Sequence, residues 1–309
     1  MDTDWLNIGV NSGRYLKRYP GIFSYSKSNI YHYTNLEGLV GILSKKGFWL
    51  SDVRFLNDGE ELYNGSKIAE QLIRKIKNKR SYSRFNAVLD IVLEKIQNES
   101  YPSCYICSFS VMGDMLEQWR AYGKNGCGIS IGFDLTQKTE YPHFRLGPQY
   151  FTQEVIYKDS IKYWVLLSII RSYKSDFYRA GRVNAGIIQY IADSLFVSLS
   201  QLFANFKHES FESEREVRII DNSGKETFYR EKFHRVSNGL IVPYFASYNT
   251  KLHKGDNIPI EPDNLPVTEI IVGPNTSQHE LINSISIFLS DLGYDKNIQI
   301  RKSLVPYRG

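Results

Sequence analysis

Residues 30–43 read "IYHYTNLEGLVGIL", and "SKKGFWLSD" follows at once. The β-branched and aromatic run from Ile30 to Thr34 predicts a strand, and the chain passes from it into a helix with almost no loop. Asn35 stands where its side chain can cap that helix, and Leu36, Leu39, Val40 and Leu43 recur at i, i+3, i+4 and i+7 as its apolar face. Gly47 fits as the C-terminal stop, and "FWLSD" reads as a second short strand. His32 and Thr34 share one side of the first strand at its exit. A buried turn explains that placement, and so does a pocket that holds a ligand.

Working outward, the first 24 residues read as a mixed leader with a few anchoring aromatics. "RFLNDGEEL" predicts a turn into a charged helix running to about Arg80, and a second amphipathic stretch covers about Arg84 to Asn98. "SCYICSFS" reads as a strand, "GDMLEQWRAYG" as a helix or turn, and "GCGISIGFD" and "QYFTQEVIYK" as strands. Residues 160–207 carry a helical pattern broken near 180–186. The last third returns to strands at "EREVRII", "GLIVPYF", "VTEIIVG" and "IQIRKS", with the helix "SQHELINSISIFLSDLG" between the last two. The plan is α+β: a mixed central sheet in one domain over 1–309, with a helical insertion at about 160–207.

A chain of 309 residues that is 42% hydrophobic and 14% aromatic can bury a sizeable core. No apolar run approaches the roughly 20 residues of a membrane-spanning helix. The opening "MDTDWLNIGVNSGRY" lacks the basic start and apolar stretch of a secretory signal, and three cysteines are too few for a disulfide framework. These features predict a cytoplasmic protein with no membrane partner. Cys104 and Cys107 lie in a strand-like run that turns their thiols to opposite faces, and with Cys127 they cannot assemble four ligands without histidines, so no metal is expected. The net charge of +5 is mildly basic, and part of the excess lies in "RKIKNKR", Arg74 to Arg80. That run is either a solvated helix face or a patch that attracts nucleic acid phosphates.

The motifs of common enzymes are missing: "GKNGCG" lacks Walker spacing, no G-x-G-x-x-G joins a strand to a helix, and neither H-E-x-x-H nor G-x-S-x-G occurs. What remains is a dispersed polar set: His32 and Thr34; Asn57, Asp58 and Glu61; Ser108 and Ser110; Trp119 and Tyr122; Glu214 and Glu216. Period-two spacing places Ser108 with Ser110 on one face, and Glu214, Glu216 and Arg218 on another. Two carboxylates on one buried face are costly unless paired, so Glu-x-Glu marks a strand edge, a solvated face laced by arginine, or a polar cleft. Trp119 and Tyr122, three apart, fit core packing, and Asn57-Asp58-Gly59 fits a turn and helix cap.

Together these residues resemble a known pattern. Tyr31-His32-Tyr33-Thr34, Asn57-Asp58 with Glu61, Cys107-Ser108-Phe109-Ser110, Trp119, Tyr122, Gly128, Gly132-Phe133, Lys207, Glu214-Arg215-Glu216, Arg218, Gly273-Pro274, Ser303 and Pro306-Tyr307-Arg308 resemble the bacterial domain-of-unknown-function 2971 family from about residue 30 onward. More distantly, His-x-Thr before "NLEGLVGIL", the Ser-x-Ser strand and Glu-x-Glu, in that order, are similar to ADP-ribosyltransferases of the DNA-modifying toxin branch, with His32 where arginine-type enzymes carry arginine.

That resemblance implies a split mixed sheet of the ADP-ribosyltransferase type and NAD as co-substrate. Breaking the nicotinamide–ribose bond passes through an oxocarbenium-like cation that a nearby carboxylate stabilises. The resemblance implies Glu216 for that carboxylate, Glu214 as the group that orients or deprotonates the acceptor, and His32 on a ribose hydroxyl. It further implies the Tyr33 backbone on the nicotinamide amide, Thr34, Asn57, Ser108 and Ser110 as braces, and Trp119 or Tyr122 stacked on the nicotinamide ring. Glu216 is then expected to face His32 across one cleft. The activity expected is that of a bacterial toxin or anti-phage effector modifying a nucleic acid (RNA or DNA) or protein, with an antitoxin or chaperone as a further partner. An NAD glycohydrolase, a non-catalytic nucleotide sensor, and a nuclease built on Asp58, Glu61 and Glu214 are the alternatives.

Overall fold

The computed structural model describes residues 29–55, 60–101, 103–134, 150–181, 183–221, 231–237, 239–247, 264–275 and 278–307. Asn57 and Asp58 and the leader at residues 1–24 lie outside them. In chain order the elements are β1 (Ile30–Thr34), α1 (Leu36–Lys45), β2 (Trp49–Asp52), α2 (Glu60–Lys77), α3 (Asn86–Gln97), β3 (Tyr105–Ser110), α4 (Leu116–Ala121), β4 (Ile129–Phe133) and β5 (Tyr150–Glu154). They continue as α5 (Asp159–Arg179), α6 (Ala185–Phe203), β6 (Glu216–Asp221), β7 (Lys232–Ser237), β8 (Leu240–Ala246), β9 (Val267–Val272), α7 (Gln278–Asp291) and β10 (Gln299–Lys302). The protein is therefore α+β, and its elements divide into a helical unit (residues 53–104 and 155–211) and a sheet unit (23–52, 105–154 and 212–309).

Among the described residues the sheet unit holds ten strands in the order β10-β9-β4-β1-β3-β2-β8-β7, with β6 between β3 and β5 off that path. Every pair is antiparallel except β9 with β10, so the sheet is mixed. Its junction is β3. One edge of β3 pairs along its whole length with β6, from Tyr105↔Asp221 to Ser110↔Glu216. The other edge is shared: Ser110 meets Tyr31 of β1, while Tyr105 and Ile106 meet Asp52 and Ser51 of β2. Among the described residues, Cys107 to Phe109 have no strand partner on that edge, and there the sheet splits.

One face of the sheet carries the core, because period-two alternation collects Ile30, Phe109, Ile131, Phe133, Val217 and Ile270 there. Leu39, Ile42 and Leu43 of α1 and Ile285 and Leu289 of α7 cover it. The Phe48 ring sits edge-on to Phe109 and Phe133, with centroids 5.2 and 5.3 Å away. A side chain buried to this degree stabilises the fold by about 1.5–3 kcal/mol before entropy is counted.

The opening helix follows its local signals with two corrections. Asn35 does cap it, its side chain accepting a 2.7 Å bond from the Gly38 amide. The buried face, however, is Leu39, Ile42 and Leu43, whereas Leu36 and Val40 are exposed. The helix also ends one residue early, at Lys46 in the left-handed conformation (φ 54°), with the Gly47 amide bonding back to the Ile42 carbonyl at 3.2 Å. Gly128, at the entrance to β4, has a plainer reason to lack a side chain: a Cβ would lie 2.4 Å from the Thr34 carbonyl oxygen.

The helical unit assembles α2, α3, α5 and α6. The expected block at 160–207 is α5 and α6, and it is joined there by the helices of residues 60–97. Ile191, Leu195, Phe196, Leu199 and Phe203 of α6 are buried, and α6 packs on α2, α3 and α5. Gly65 of α2 allows the close approach, since a Cβ there would meet the Phe203 ring at 2.8 Å. Among the described residues α6 is the one helix long and apolar enough to cross a membrane by length and composition. Of that apolar stretch 44% is buried, where α6 packs on these three helices.

Candidate functional site

The split in the sheet is filled by a side chain. The Nδ1 atom of His32 lies 2.9 Å from the Ser108 carbonyl oxygen, within the unpartnered stretch of β3. A carbonyl only accepts, so Nδ1 carries the proton and the neutral ring presents a lone pair at Nε2. Among the described residues nothing hydrogen-bonds to Nε2. The ring packs against Phe109 and Phe48, with centroids 5.3 and 6.1 Å away, and keeps part of its surface exposed.

Desolvation by these neighbours holds the His32 pKa below its ordinary 6.5, although the Ser108 carbonyl favours the proton. The stability contribution of neutral His32 is therefore complete above pH 6.5 and falls away as pH drops towards the lower folded-state value. Between pH 7 and 5 the wild type should lose more stability than His32→Gln, as read from paired urea melts. Parallel losses would show that His32 titrates as in the unfolded chain.

Ser108, Ser110, Glu216 and Arg218 occupy the opposite face. The register pairs Ser110 with Glu216 and Ser108 with Arg218, and β1 contributes Tyr31 opposite Ser110. Arg218 grips Glu216 with two bonds, Nε to Oε1 at 2.8 Å and Nη2 to Oε2 at 2.9 Å, and both residues are buried. A buried carboxylate needs such a partner, and the planar guanidinium supplies it bidentately. The Ser110 hydroxyl donates to the Glu214 carbonyl (2.8 Å) and accepts from the Met112 amide (3.1 Å), tying the turn after β3 to the chain entering β6.

Three expectations are corrected here. Glu214 does not share the strand face with Glu216, because it ends a 3-10 turn and Arg215 then takes a left-handed backbone (φ 45°) before β6 begins. Glu216 does not face His32: alternation along β1 and β3 sends His32 and Thr34 to the core side and Ser110 and Glu216 to the other. Trp119 is not available to stack on a ligand ring. It is fully buried against Tyr33, with centroids 4.9 Å apart, and its indole N–H donates to Asp114 at 2.7 Å. Tyr122, at the end of α4, is exposed.

Beside Tyr33 the same face carries a polar network that the sequence reading missed. Tyr31 donates to Glu269 (2.6 Å), and Arg301 donates to the other Glu269 oxygen (2.8 Å). Asp114 accepts from Trp119, from the Ser303 hydroxyl (2.6 Å) and from the Leu304 amide (2.7 Å), with Arg301 Nη1 at 3.5 Å. Burial pushes the Tyr31 pKa up to about 12, and the Glu269 carboxylate adds to the shift. A Cβ at Gly113 would stand 2.4 Å from the Tyr31 ring, so this turn requires glycine. The available signal was a lone glutamate in "VTEIIVG" and a lone arginine in "IQIRKS", each needing a partner inside an apolar strand.

Cys104 and Cys107 are buried, and desolvation pushes the Cys107 thiol up to about 12, which keeps it in the unreactive thiol form.

Residues 118–219 match the model of a family described as "Protein of unknown function (DUF2971)". The match runs from Gln118 in α4 to Ile219 in β6, and it supports the family resemblance across Trp119, Tyr122, Glu214, Glu216 and Arg218. No curated protein and no solved structure matches the chain.

Proposed function

We propose that the protein is an NAD-dependent ADP-ribosyltransferase whose nucleotide site is the split between β1 and β3. One observation carries the reading: His32 is anchored through Nδ1 on the Ser108 carbonyl, which leaves the Nε2 lone pair as an acceptor for a ribose hydroxyl. The order of His-bearing strand, Ser-x-Ser strand and glutamate strand supports it, as does the adjacency of β1, β3 and β6. On this reading the split sheet is of the ADP-ribosyltransferase type. The resemblance assigns Glu216 the carboxylate that stabilises the ribosyl cation; because Glu216 lies on the face away from His32, that role requires it to leave Arg218 and turn towards the split when NAD binds. The acceptor is a nucleic acid or a protein, and with water as acceptor the same site is an NAD glycohydrolase. A toxin or anti-phage role, with an antitoxin or chaperone to restrain it, fits such chemistry.

A second reading is favoured by one specific feature. Glu216 is already held by Arg218 on the face away from His32, which suits a module that binds a nucleotide and transforms nothing. The test is NAD consumption and label transfer into a lysate by wild type, His32→Ala and Glu216→Gln, with a thermal melt for each to show that it is folded. The transferase reading expects a loss of a hundredfold or more for folded Glu216→Gln, in the range of removed electrostatic stabilisation. NAD bound by wild type and Glu216→Gln alike, with no turnover in either, establishes the binding module instead.

A further inference from the structure

The helical unit carries a cavity of about 700 Å³ whose lining includes Lys79, Arg171, Lys174, Arg179, Tyr82 and Tyr178 and, among the described residues, no carboxylate. That volume is within the range of ligand sites. Its surroundings are more basic than the chain as a whole. Arg74 to Arg84 hold six cations and no acid, and Arg171 to Arg179 hold three cations and one acid. These two segments carry a net +8, so the remainder of the chain carries −3 against the overall +5.

Some of that charge is neutralised internally: Arg74 pairs with Glu70, Lys77 with Asp90 and Arg179 with Asp176. Lys75, Lys79, Arg80, Arg84, Arg171 and Lys174 have no carboxylate partner among the described residues. Several of them face tyrosine rings instead. Lys174 lies 4.1 Å from the Tyr82 centroid and 5.7 Å from that of Tyr178, and the Arg84 guanidinium lies 5.2 Å from Tyr178. The Tyr178 hydroxyl reaches the Ser81 carbonyl at 3.4 Å, which fixes its ring at the cavity while leaving it exposed.

We infer that this surface binds single-stranded nucleic acid. Unpaired cations spread along the end of α2, the 3-10 turn Arg80–Phe85 and α5 suit a repeating phosphodiester better than a single phosphate. The exposed Tyr178 ring, backed by the Arg84 guanidinium, offers a stacking platform that unpaired bases use and that an acidic peptide or a lipid headgroup does not. As an acceptor-binding surface it rests on the transferase reading above; as a binding surface it does not.

The test uses the full chain without NAD and a fluorescein-labelled oligonucleotide of about 20 nucleotides, with anisotropy titrations from about 50 to 300 mM NaCl. Wild type should bind with a steep salt dependence. Lys79→Gln with Arg171→Gln, both exposed in the structure, should weaken binding on the order of tenfold and reduce the salt slope by about 1.4, two contacts at about 0.7 each. Tyr178→Ala should weaken binding about fivefold or more. No binding at 50 mM salt, or equal affinity and slope in the double variant, overturns the proposal. So does a duplex of equal length that binds as tightly and ignores Tyr178→Ala. Intact NAD turnover with no oligonucleotide binding sinks this inference alone, and binding without turnover sinks the transferase reading alone.

Discussion

Arg218→Ala should destabilise the sheet unit by about 3–5 kcal/mol, the cost of breaking a buried ion pair by removing one member. The substitution removes both guanidinium bonds from Glu216, at the start of a strand whose every residue is buried. Arg218→Lys should recover part of the loss, since an ammonium keeps the charge but not the fork that meets both carboxylate oxygens. Replacing Glu216 and Arg218 together by apolar residues of similar volume should cost less than Arg218→Ala alone, because no carboxylate is then left buried opposite a missing guanidinium. Urea melts at pH 7 of the two single variants and the double variant check all of this. If Arg218→Ala melts with the wild type, the pair contributes nothing to folding.

The second large effect belongs to Asp114. Its carboxylate holds the Trp119 indole, the Ser303 hydroxyl and the Leu304 amide at 2.6–2.7 Å, so Asp114→Ala deprives three donors at once. Hydrogen bonds to charged groups are worth about 1.5–3 kcal/mol each, and Trp119 is fully buried. A loss of about 3–5 kcal/mol follows, and Asp114→Asn should lose less because it keeps an acceptor. Amide hydrogen exchange should show it most clearly, with the Leu304 amide and the β10 ladder exchanging faster in Asp114→Ala than in the wild type. Unchanged protection at Leu304 would mean that β9 alone holds this segment.

Elements with a local cause were legible in the sequence, and elements with a distant one were not. Asn35 announces its cap because the group it satisfies is three residues away. The strands "GISIGF" and "VTEIIV" announce themselves by apolar density. β7 was missed because Lys232 to Ser237 carry no buried side chain, and their partner β8 lies just beyond them rather than in their own pattern. Ser108 and Ser110 were correctly placed on one face by period two. The same rule could not say that His32 lies on the other, since that depends on Tyr31, and not His32, standing opposite Ser110. The strand register that decides the site joins residues 79 apart along the chain, and no local pattern encodes it. Glu214 misled for a local reason: Glu-x-Glu looks like a strand until Arg215 takes a positive φ.

The Tyr31–Glu269 bond joins residues 238 positions apart, and Asp114 waits 190 positions for Leu304. The first described strand therefore lies mid-sheet from the outset but stays uncommitted until the last one arrives. During synthesis at roughly 5–20 residues per second, the β1 edge that will meet β4 and the Tyr31 hydroxyl are exposed for many seconds before their partners emerge. The helical unit can gather its short-range contacts in that interval, whereas the sheet unit closes only with the final segment. A chain that ends before residue 304 thus lacks the Leu304 bond to Asp114, the acceptor that also holds the Trp119 indole.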